Sequence, residues 1–419
     1  MQRITRLIAR GGTALCLMAL VWSCGTVPGL KDEEPGSFIR VPFVRVLLLE
    51  TEPDAVFSAD YAFAIECLKG GEQTVFYSSQ PVRVRNRGHD LRVENLKGVP
   101  IADYVNEVNI IPRGTENHTR IGKTPYRGIL RVLPYGGNVR VINIIYMEDY
   151  LRGVVPPELG KRAEAEIEAV KAQAVAARTY AMAHLQQYKG EPYDMKSSIY
   201  DQVYHGVRVE NELVNRAIDL TAGTVAMHED QLINAYYHST CGGMTDNISH
   251  VWDRNEMAYL KAVPDSGACS WSKYYNWREV FTEQQLRGRI EQYMASDRGR
   301  DMRIGPIRNI EIRERTPGGR ITTLVIHTDT DLYRFHKDRI RWVIGRTSNP
   351  DLILPSDRFD VIIERNAAGN ISRVIFEGSG YGHGVGMCQC GAIGMSRNGY
   401  SFDQILKHYY VGIDVRKLY

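Results

Sequence analysis

Residues 168–182 read "EAVKAQAVAARTYAM", and six of these fifteen positions are alanine. Across residues 161–188 the apolar side chains return at intervals of three and four, which is the spacing of one helix face. They are Ile167, Val170, Ala174, Ala181 and Leu185. Because alanine side chains are small, the pattern predicts a helix that packs closely against another element.

Strand-like patterns occupy most of the chain on both sides of this helix. They alternate or run apolar between Gly, Pro and Asn residues. Before the helix stand "FVRVLLLE" (43–50), "PVRVRNR" (81–87), "GILRVLP" (128–134) and "NVRVINI" (138–144), and after it "ITTLVIHTD" (321–329), "FDVIIERN" (359–366) and "ISRVIFEG" (371–378).

Further helices are predicted over residues 210–221 and 283–296, and a short one starts at Ser401. Ser401 and Gln404 have the spacing of a capping box. The sequence therefore predicts an α+β fold that is rich in strands and has a few packed helices.

The first residues are typical of a secretory signal. Three arginines and no acid precede an apolar run over residues 13–22, which is too short to cross a bilayer. Ser23-Cys24-Gly25 then predicts lipidation of Cys24, with residues 1–23 as signal peptide; the alternative is an ordinary signal peptide cleaved elsewhere. Residues 24–40 are polar and rich in Pro and Gly, as a tether is. We expect a lipid-anchored lipoprotein of the cell envelope, periplasmic or on the cell surface.

The charge balance indicates no acidic polymer as a partner. The formal net charge is +3, and the predicted signal peptide carries three arginines, so its removal leaves no net charge. Nucleic acid is therefore not an expected partner. Contact with a membrane is expected only through the lipid anchor.

Four separated stretches carry the chemistry. They are "MEDYLRGVVPPELG" (147–160), the alanine-rich stretch, "AYYHSTCGG" (235–243) and "GYGHGVGMCQCGA" (380–392). With these motifs the chain resembles the stage II sporulation protein D (SpoIID/LytB) family of peptidoglycan-acting proteins. The resemblance runs from "YRGILRVL" at Tyr126 to the C-terminus, about seven-tenths of the chain. It implies a catalytic domain over 121–419 with an elongated substrate groove, preceded by a strand-rich domain over 41–120.

Glu158 is the predicted catalytic residue. Taken alone, Pro156-Pro157-Glu158 is typical of a helix start, where a carboxylate complements the helix dipole. The resemblance instead implies that Glu158 is the acid of a lytic transglycosylase. This reaction cleaves the bond between N-acetylmuramic acid and N-acetylglucosamine, and the muramic 6-hydroxyl attacks its own anomeric carbon to give a 1,6-anhydro product. One carboxyl group suffices, because the substrate carries the nucleophile.

Two functions follow from the resemblance. The first is this lytic transglycosylase, acting on peptidoglycan glycan strands, including strands stripped of their stem peptides. The second is a non-enzymatic wall-binding modifier that activates a cell-wall amidase, which would then be a partner.

Candidate substrate-binding residues occur in three of the four stretches, all but that of Glu158, and in "YDQVYHG" (200–206). Glycines at 382, 384 and 386 permit positive φ and close backbone approach, which would set His383 against a glycan. Arg178 is alternatively a paired or snorkelling side chain, and His383 a buried core histidine. The candidates are Arg178, Gln202, Tyr204, His238, Ser239, Tyr381, His383 and Gln389.

The cysteines leave two possibilities open. In an oxidising envelope, Cys241 and Cys269 are predicted to form a disulfide, and no cofactor is then needed. The alternative is a structural zinc with His238, Cys241 and Cys269 as ligands. Cys388 and Cys390 depart from the family pattern of the last motif. Five cysteines follow Cys24, an odd number, so at least one stays unpaired, and Cys67 is a candidate.

Overall fold

The computed structural model describes residues 41–114, 116–198, 201–299, 301–349 and 351–419. The predicted signal peptide, lipidation site and tether all lie outside the described residues. No helix within the described ranges is long and apolar enough to cross a membrane.

The described strands are, in chain order, β1 (Phe43–Glu52), β2 (Asp54–Ala59), β3 (Phe63–Lys69), β4 (Glu72–Ser78), β5 (Val82–Asn86), β6 (Leu91–Asn95), β7 (Pro100–Val105), β8 (Glu107–Pro112), β9 (Thr119–Ile121), β10 (Thr124–Tyr126), β11 (Ile129–Tyr135), β12 (Asn138–Tyr146), β13 (Met195–Lys196), β14 (Thr224–His228), β15 (Gln231–Leu232), β16 (Tyr237–His238), β17 (Asn276–Thr282), β18 (Ile307–Arg315), β19 (Ile321–Thr328), β20 (Leu332–His336), β21 (Phe359–Arg365), β22 (Ile371–Ser379), β23 (Met387–Cys388) and β24 (Asp414–Lys417). The α-helices are α1 (Met147–Leu159), α2 (Ile167–Ala183), α3 (Glu212–Leu220), α4 (Ile248–Val251), α5 (Glu283–Arg298), α6 (Arg339–Ile344), α7 (Gln389–Arg397) and α8 (Phe402–Tyr409), and two 3₁₀ turns cover Glu164–Glu166 and Gly206–Val209.

These elements confirm the α+β prediction. Each quoted strand pattern falls on a strand, and the helices predicted around residues 161–188, 210–221 and 283–296 are α2, α3 and α5. The capping box before α8 is present, with the Ser401 hydroxyl accepting from the Gln404 amide. The sequence patterns did not predict α1 and α7, and both of these helices border the site described below.

Two antiparallel-rich sheets form the N-terminal part. One has the order β13-β1-β12-β11-β8-β3-β4 and the other β10-β9-β2-β5-β6-β7. Side chains from both, such as Phe57, Ile65 and Val132, share one buried cluster. Strands β9 to β12 belong to these same sheets, so the boundary predicted near residue 120 does not coincide with a break in sheet hydrogen bonding.

Helix α2 lies at the centre of a second core. Its six alanines within residues 168–182 are all buried, and they pack in one cluster with residues of α1, α3, α7 and α8. A helix that is apolar around most of its circumference is stable only when other elements surround it. The predicted close packing of this helix is therefore confirmed.

Glu158 lies at the opposite end of a helix from the one predicted. It is the penultimate residue of α1, which contains Pro156 and Pro157 near its C-terminus. Proline lacks an N–H, so Pro157 leaves the carbonyl of Gly153 without its helical donor; the amide of His205 donates to that carbonyl instead, at 3.2 Å. The expectation that Glu158 precedes a helix is thus wrong.

A third core is formed by residues 276–376. It contains the sheets β17-β22-β21 and β18-β19-β20 together with α5 and α6. These residues lie in the chain between β16 and β23, and we call residues 244–379 the inserted segment.

Candidate functional site

A cavity of about 520 Å³ contains Glu158 and is called the Glu158 cavity. It brings together six of the predicted site residues from three separate parts of the chain. They are Glu158, His238, Ser239, Tyr381, His383 and Gln389. The remaining side chains of its wall are mostly aromatic: Tyr180, Tyr236, Tyr237 and Trp252, with Asp201 among them.

Short parallel pairing brings two of the motifs side by side. Strands β16 and β23 pair with Tyr237 opposite Met387 and His238 opposite Cys388. An isolated bridge joins Thr240 to Tyr381. The motifs at 235–243 and 380–392 therefore form one structural unit although more than 130 residues separate them.

Glu158 is half-buried and has polar neighbours. Its Oε2 accepts a hydrogen bond from Nε2 of Gln389 at 3.2 Å, and the Val203 amide also donates to it. Burial raises the pKa of Glu158 above its ordinary value, and these two donors only partly oppose the shift. The C-terminal end of a helix also disfavours a negative charge. Its position in α1 therefore favours the protonated acid, whereas a helix start would have opposed it.

His383 is held by the backbone through both ring nitrogens. Its Nε2 donates to the carbonyl of Tyr237 at 3.0 Å, and its Nδ1 accepts from the amide of Val385 at 3.1 Å. Burial lowers the pKa of His383 to about 4, so the ring is neutral near pH 7. The ring centroid lies 4.8 Å from that of Trp252. His383 therefore offers the cavity a ring face rather than an acid or a base.

His238 has a different arrangement. The ring is buried, its Nδ1 lies 3.2 Å from the carbonyl of Val385, and burial holds its pKa well below the ordinary range. Among the described residues its Nε2 has no hydrogen-bond partner. A neutral ring that donates from Nδ1 carries a free lone pair on Nε2, which can accept a hydrogen bond from a ligand.

The cavity continues into a neighbouring cavity of about 420 Å³. Tyr180, Asp201, Tyr236 and Trp252 line both of them. Asp201 accepts hydrogen bonds from the Tyr188 hydroxyl at 2.8 Å and from the Lys196 amide at 2.8 Å. The two cavities therefore adjoin along a shared wall of three aromatic side chains and one carboxyl group.

Sequence reasoning missed Asp201 and most of the aromatic wall. Asp201 stands next to Gln202 within "YDQVYHG", and Tyr236 and Tyr237 lie within the quoted "AYYHSTCGG". These three residues could therefore have been found by considering the sequence neighbours of residues that had already been selected. Trp252 lies outside every selected motif, and only its packing against Tyr236 and His383 places it in the wall.

Arg178 does not line the Glu158 cavity, which corrects its predicted substrate role. Its side chain is fully buried, and it donates through Nε and Nη2 to the carboxylate of Glu148, at 2.9 and 2.5 Å. Its Nη1 donates to the carbonyl of Thr224 at 3.0 Å. Every part of the guanidinium thus has a partner inside the protein.

Gln202 and Tyr204 also lie behind the cavity rather than on its wall. Gln202 is buried and bonds to the hydroxyls of Tyr150 and Tyr237, both at 3.1 Å. Tyr204 packs against Gly153, and its hydroxyl donates to Asn143 at 2.8 Å. The prediction that these two residues contact sugar is therefore corrected. Both support α1 and the cavity wall from inside the protein.

A larger cavity, of about 750 Å³, lies within the region of the third core. Its wall contains no residue predicted to act on substrate. Its carboxylates are neutralised by arginines: Asp360 pairs with Arg315 at 2.6 Å and Glu377 with Arg278 at 3.1 Å. Size alone therefore does not make it the reactive site.

The predicted disulfide is not formed. Cys241 and Cys269 are free thiols whose sulfurs lie 3.5 Å apart, and Cys388 also belongs to their buried group. The alternative ligand set is corrected too. The side chain of His238 bonds to the backbone of Val385, and the group of possible ligand atoms contains Asp265 and Cys388 in its place.

Gly386 provides a test of how tightly the two motifs fit. Its φ is +71°, and a Cβ there would lie 2.1 Å from the carbonyl oxygen of Tyr236. At Gly399 φ is +84°, but no atom lies within 4 Å of a Cβ. Alanine is disfavoured at positive φ in both variants. The difference between their unfolding free energies therefore measures the clash at position 386. We expect Gly386→Ala to lower the unfolding free energy by about 1–3 kcal/mol more than Gly399→Ala in denaturant titrations; equal losses would contradict the close fit.

Fold and site together define an α+β protein whose aromatic-walled cavity contains Glu158, a carboxyl group with a raised pKa. Residues 135–228 match the family model described as stage II sporulation protein, and residues 268–386 match a domain of unknown function. An uncharacterised protein of Brachyspira hyodysenteriae is 30% identical over 344 residues, which are 81% of this chain and 85% of that protein.

Two named relatives are similar over shorter lengths. The stage II sporulation protein D of Bacillus amyloliquefaciens is 29% identical over 65% of this chain and 74% of its own length. The amidase enhancer of Bacillus subtilis is 28% identical over 62% of this chain and 39% of its own length. The chain belongs to the stage II sporulation protein D family, as the motifs of the sequence indicated.

Proposed function

We propose that the protein is a lytic transglycosylase that cleaves peptidoglycan glycan strands between N-acetylmuramic acid and N-acetylglucosamine. The family assignment supports a role at the cell wall. The observation that carries the finer proposal is Glu158, a half-buried carboxyl group with a raised pKa on the wall of an aromatic-lined cavity. A general acid must hold its proton near neutral pH, and burial supplies that condition.

In this mechanism Glu158 protonates the leaving glycosidic oxygen. The muramic 6-hydroxyl then attacks the anomeric carbon and gives its proton to the Glu158 carboxylate, which restores the acid. No second carboxylate has to activate water. Asp201, whose carboxylate is fixed by hydrogen bonds within the same cavity, would face the positive charge that develops on the sugar ring.

The remaining wall would position the glycan. The rings of Tyr236, Trp252 and His383 form a continuous aromatic contact suited to the apolar faces of sugar rings. The unpartnered Nε2 of His238 would accept a hydrogen bond from a sugar hydroxyl or acetamide. We further propose an envelope lipoprotein anchored through Cys24, which places the cavity beside its substrate.

A second candidate function is a non-enzymatic modifier that binds the wall and activates an amidase. The similarity to the amidase enhancer of Bacillus subtilis favours it. In that case the Glu158 cavity would bind glycan without cleaving it, and the partner would be a cell-wall amidase.

Product analysis separates the two functions. The purified protein would be incubated with intact peptidoglycan and with peptidoglycan that an amidase has stripped of stem peptides, and the soluble products identified by mass spectrometry. A transglycosylase releases 1,6-anhydro sugars or anhydro-muropeptides. Absence of these from both substrates, together with faster hydrolysis by an added amidase, would reject the enzyme and support the modifier.

A further inference from the structure

We propose that Cys241, Cys269, Cys388 and Asp265 bind one zinc ion, at a structural site beneath the Glu158 cavity. All four residues are buried, and one possible ligand atom from each lies within 4.8 Å of all the others. They come from three separate segments of the chain.

The distances suit a tetrahedral metal better than a disulfide. With zinc–sulfur bonds of about 2.3 Å, two thiolates on a tetrahedral ion lie about 3.8 Å apart. Sulfurs in a disulfide are about 2.05 Å apart. The sulfurs of Cys241 and Cys269 are 3.5 Å apart, and Cys388 is close enough to complete the set. A bridge between two of these thiols would leave the third beside a buried carboxyl group.

The surroundings supply the hydrogen bonds that ionised ligands need. The sulfur of Cys388 accepts from the amides of Cys241 at 3.2 Å and Gly391 at 3.3 Å, and the sulfur of Cys241 accepts from the amide of Gly243 at 3.4 Å.

The carboxylate of Asp265 is fixed as well. One oxygen accepts from the Tyr409 hydroxyl and the other from the Cys269 amide, each at 2.6 Å. Donors of this kind orient metal ligands and stabilise their negative charge.

Ligand number and burial indicate a structural ion. Three thiolates and one carboxylate fill four tetrahedral positions, so no position remains for water or substrate. Soft thiolates select zinc over magnesium or calcium.

The ion would connect the segments that carry the site. Cys241 follows Ser239 by two residues, and Cys388 directly precedes Gln389, which bonds to Glu158. Zinc would therefore hold the wall of the Glu158 cavity without taking part in chemistry there.

Cys388→Ser is a suitable test because it keeps the local fold. Cys388 is the N-cap of α7, where its sulfur accepts from the Gly391 amide, and serine is a preferred residue at that position. Cys67→Ser and Cys390→Ser serve as controls: Cys67 is buried in the N-terminal sheets and Cys390 lies outside the ligand group.

The full chain would be purified without added metal and its zinc counted by elemental mass spectrometry. We expect about one zinc per unmutated chain, retained in both control variants and reduced at least tenfold in Cys388→Ser. Cobalt substituted into the unmutated chain is expected to give the strong near-ultraviolet absorption of thiolate–cobalt bonds. This measurement does not depend on whether the variants fold.

Three results would overturn the proposal. They are an unmutated chain that binds neither zinc nor cobalt, full zinc occupancy in Cys388→Ser, and a Cys241–Cys269 bridge found by peptide mass mapping without reduction.

Discussion

Replacing Glu158 by glutamine is expected to lower the rate of glycan cleavage at least about a hundredfold, the usual contribution of a positioned proton donor. The amide keeps the size of the side chain and can still bond to Gln389, but it cannot deliver a proton. Release of anhydro products from stripped peptidoglycan measures the rate, and sedimentation with insoluble glycan measures binding. Binding should stay near that of the unmutated protein. A fully active Glu158→Gln protein would exclude the mechanism even though the family assignment would stand.

The same variant makes a pH-dependent prediction for stability. Burial raises the pKa of Glu158 in the folded protein, so the unfolded chain loses this proton first as the pH rises from about 4. The stability that the protonated group contributes is complete below the unfolded pKa and is lost as the pH rises through the folded pKa. Glutamine does not ionise. We therefore expect Glu158→Gln to melt at the same or a higher temperature than the unmutated protein at pH 7, and the gain to disappear near pH 4.

The pH profile of cleavage follows from the same shift. Because the acid works in its protonated form, the rate should fall as the pH rises through the pKa of Glu158, above the ordinary range of a glutamate. If the protein is an amidase modifier, the purified chain will release no anhydro product at any pH, and Glu158→Gln will still stimulate the amidase.

Replacing Arg178 by methionine is expected to lower the unfolding free energy by about 3–5 kcal/mol, because it leaves the carboxylate of Glu148 in the interior without its cation. Glu148 also accepts from the Gly223 amide and the Tyr419 hydroxyl, so the change affects several contacts around α1 and α2. Urea titration followed by circular dichroism measures the loss.

Arg216→Met is the matched control for this prediction. Arg216 forms an ion pair with Glu164, and both side chains are largely exposed, so the unfolding free energy should barely change. If Arg178→Met were as stable as the unmutated protein but bound glycan poorly, Arg178 would be a substrate contact and the structural role assigned to it would be wrong.

The contrast between Glu158 and Arg178 shows what the sequence could predict. The motifs selected residues that the fold brings into one cavity, including Glu158, Ser239 and His383. They could not tell a side chain on the cavity wall from one behind it, because both occur on different faces of the same helix: Arg178 is buried, and Tyr180, two residues further along α2, lines the cavity. Arg178 is on α2, whose buried neighbours were not visible from α2 alone.

Helix α1 and the thiol group illustrate two other limits. Pro156-Pro157 is typical of a helix start, but an amide more than 40 residues along the chain replaces the donor that Pro157 lacks, so the helix continues through both prolines. Cys388 lies far along the chain from Cys241 and Cys269, and spacing along the sequence cannot reveal that three segments converge.

The bridge between Thr240 and Tyr381 has an evolutionary consequence. The inserted segment leaves the Glu158 cavity and returns to it at adjacent points. Its ends are already held together, and the closure entropy of a loop changes only slowly with its length. The part of this segment that forms the third core, residues 276–376, can therefore be lengthened, shortened or exchanged while the cavity wall stays in place, because Trp252, Asp265 and Cys269 all precede it and strand pairing holds Asn276 opposite Ser379. Evolution can therefore change the structure of this region, and with it the contacts that the protein makes with different cell walls. Glu158 and the aromatic residues of the Glu158 cavity need not change.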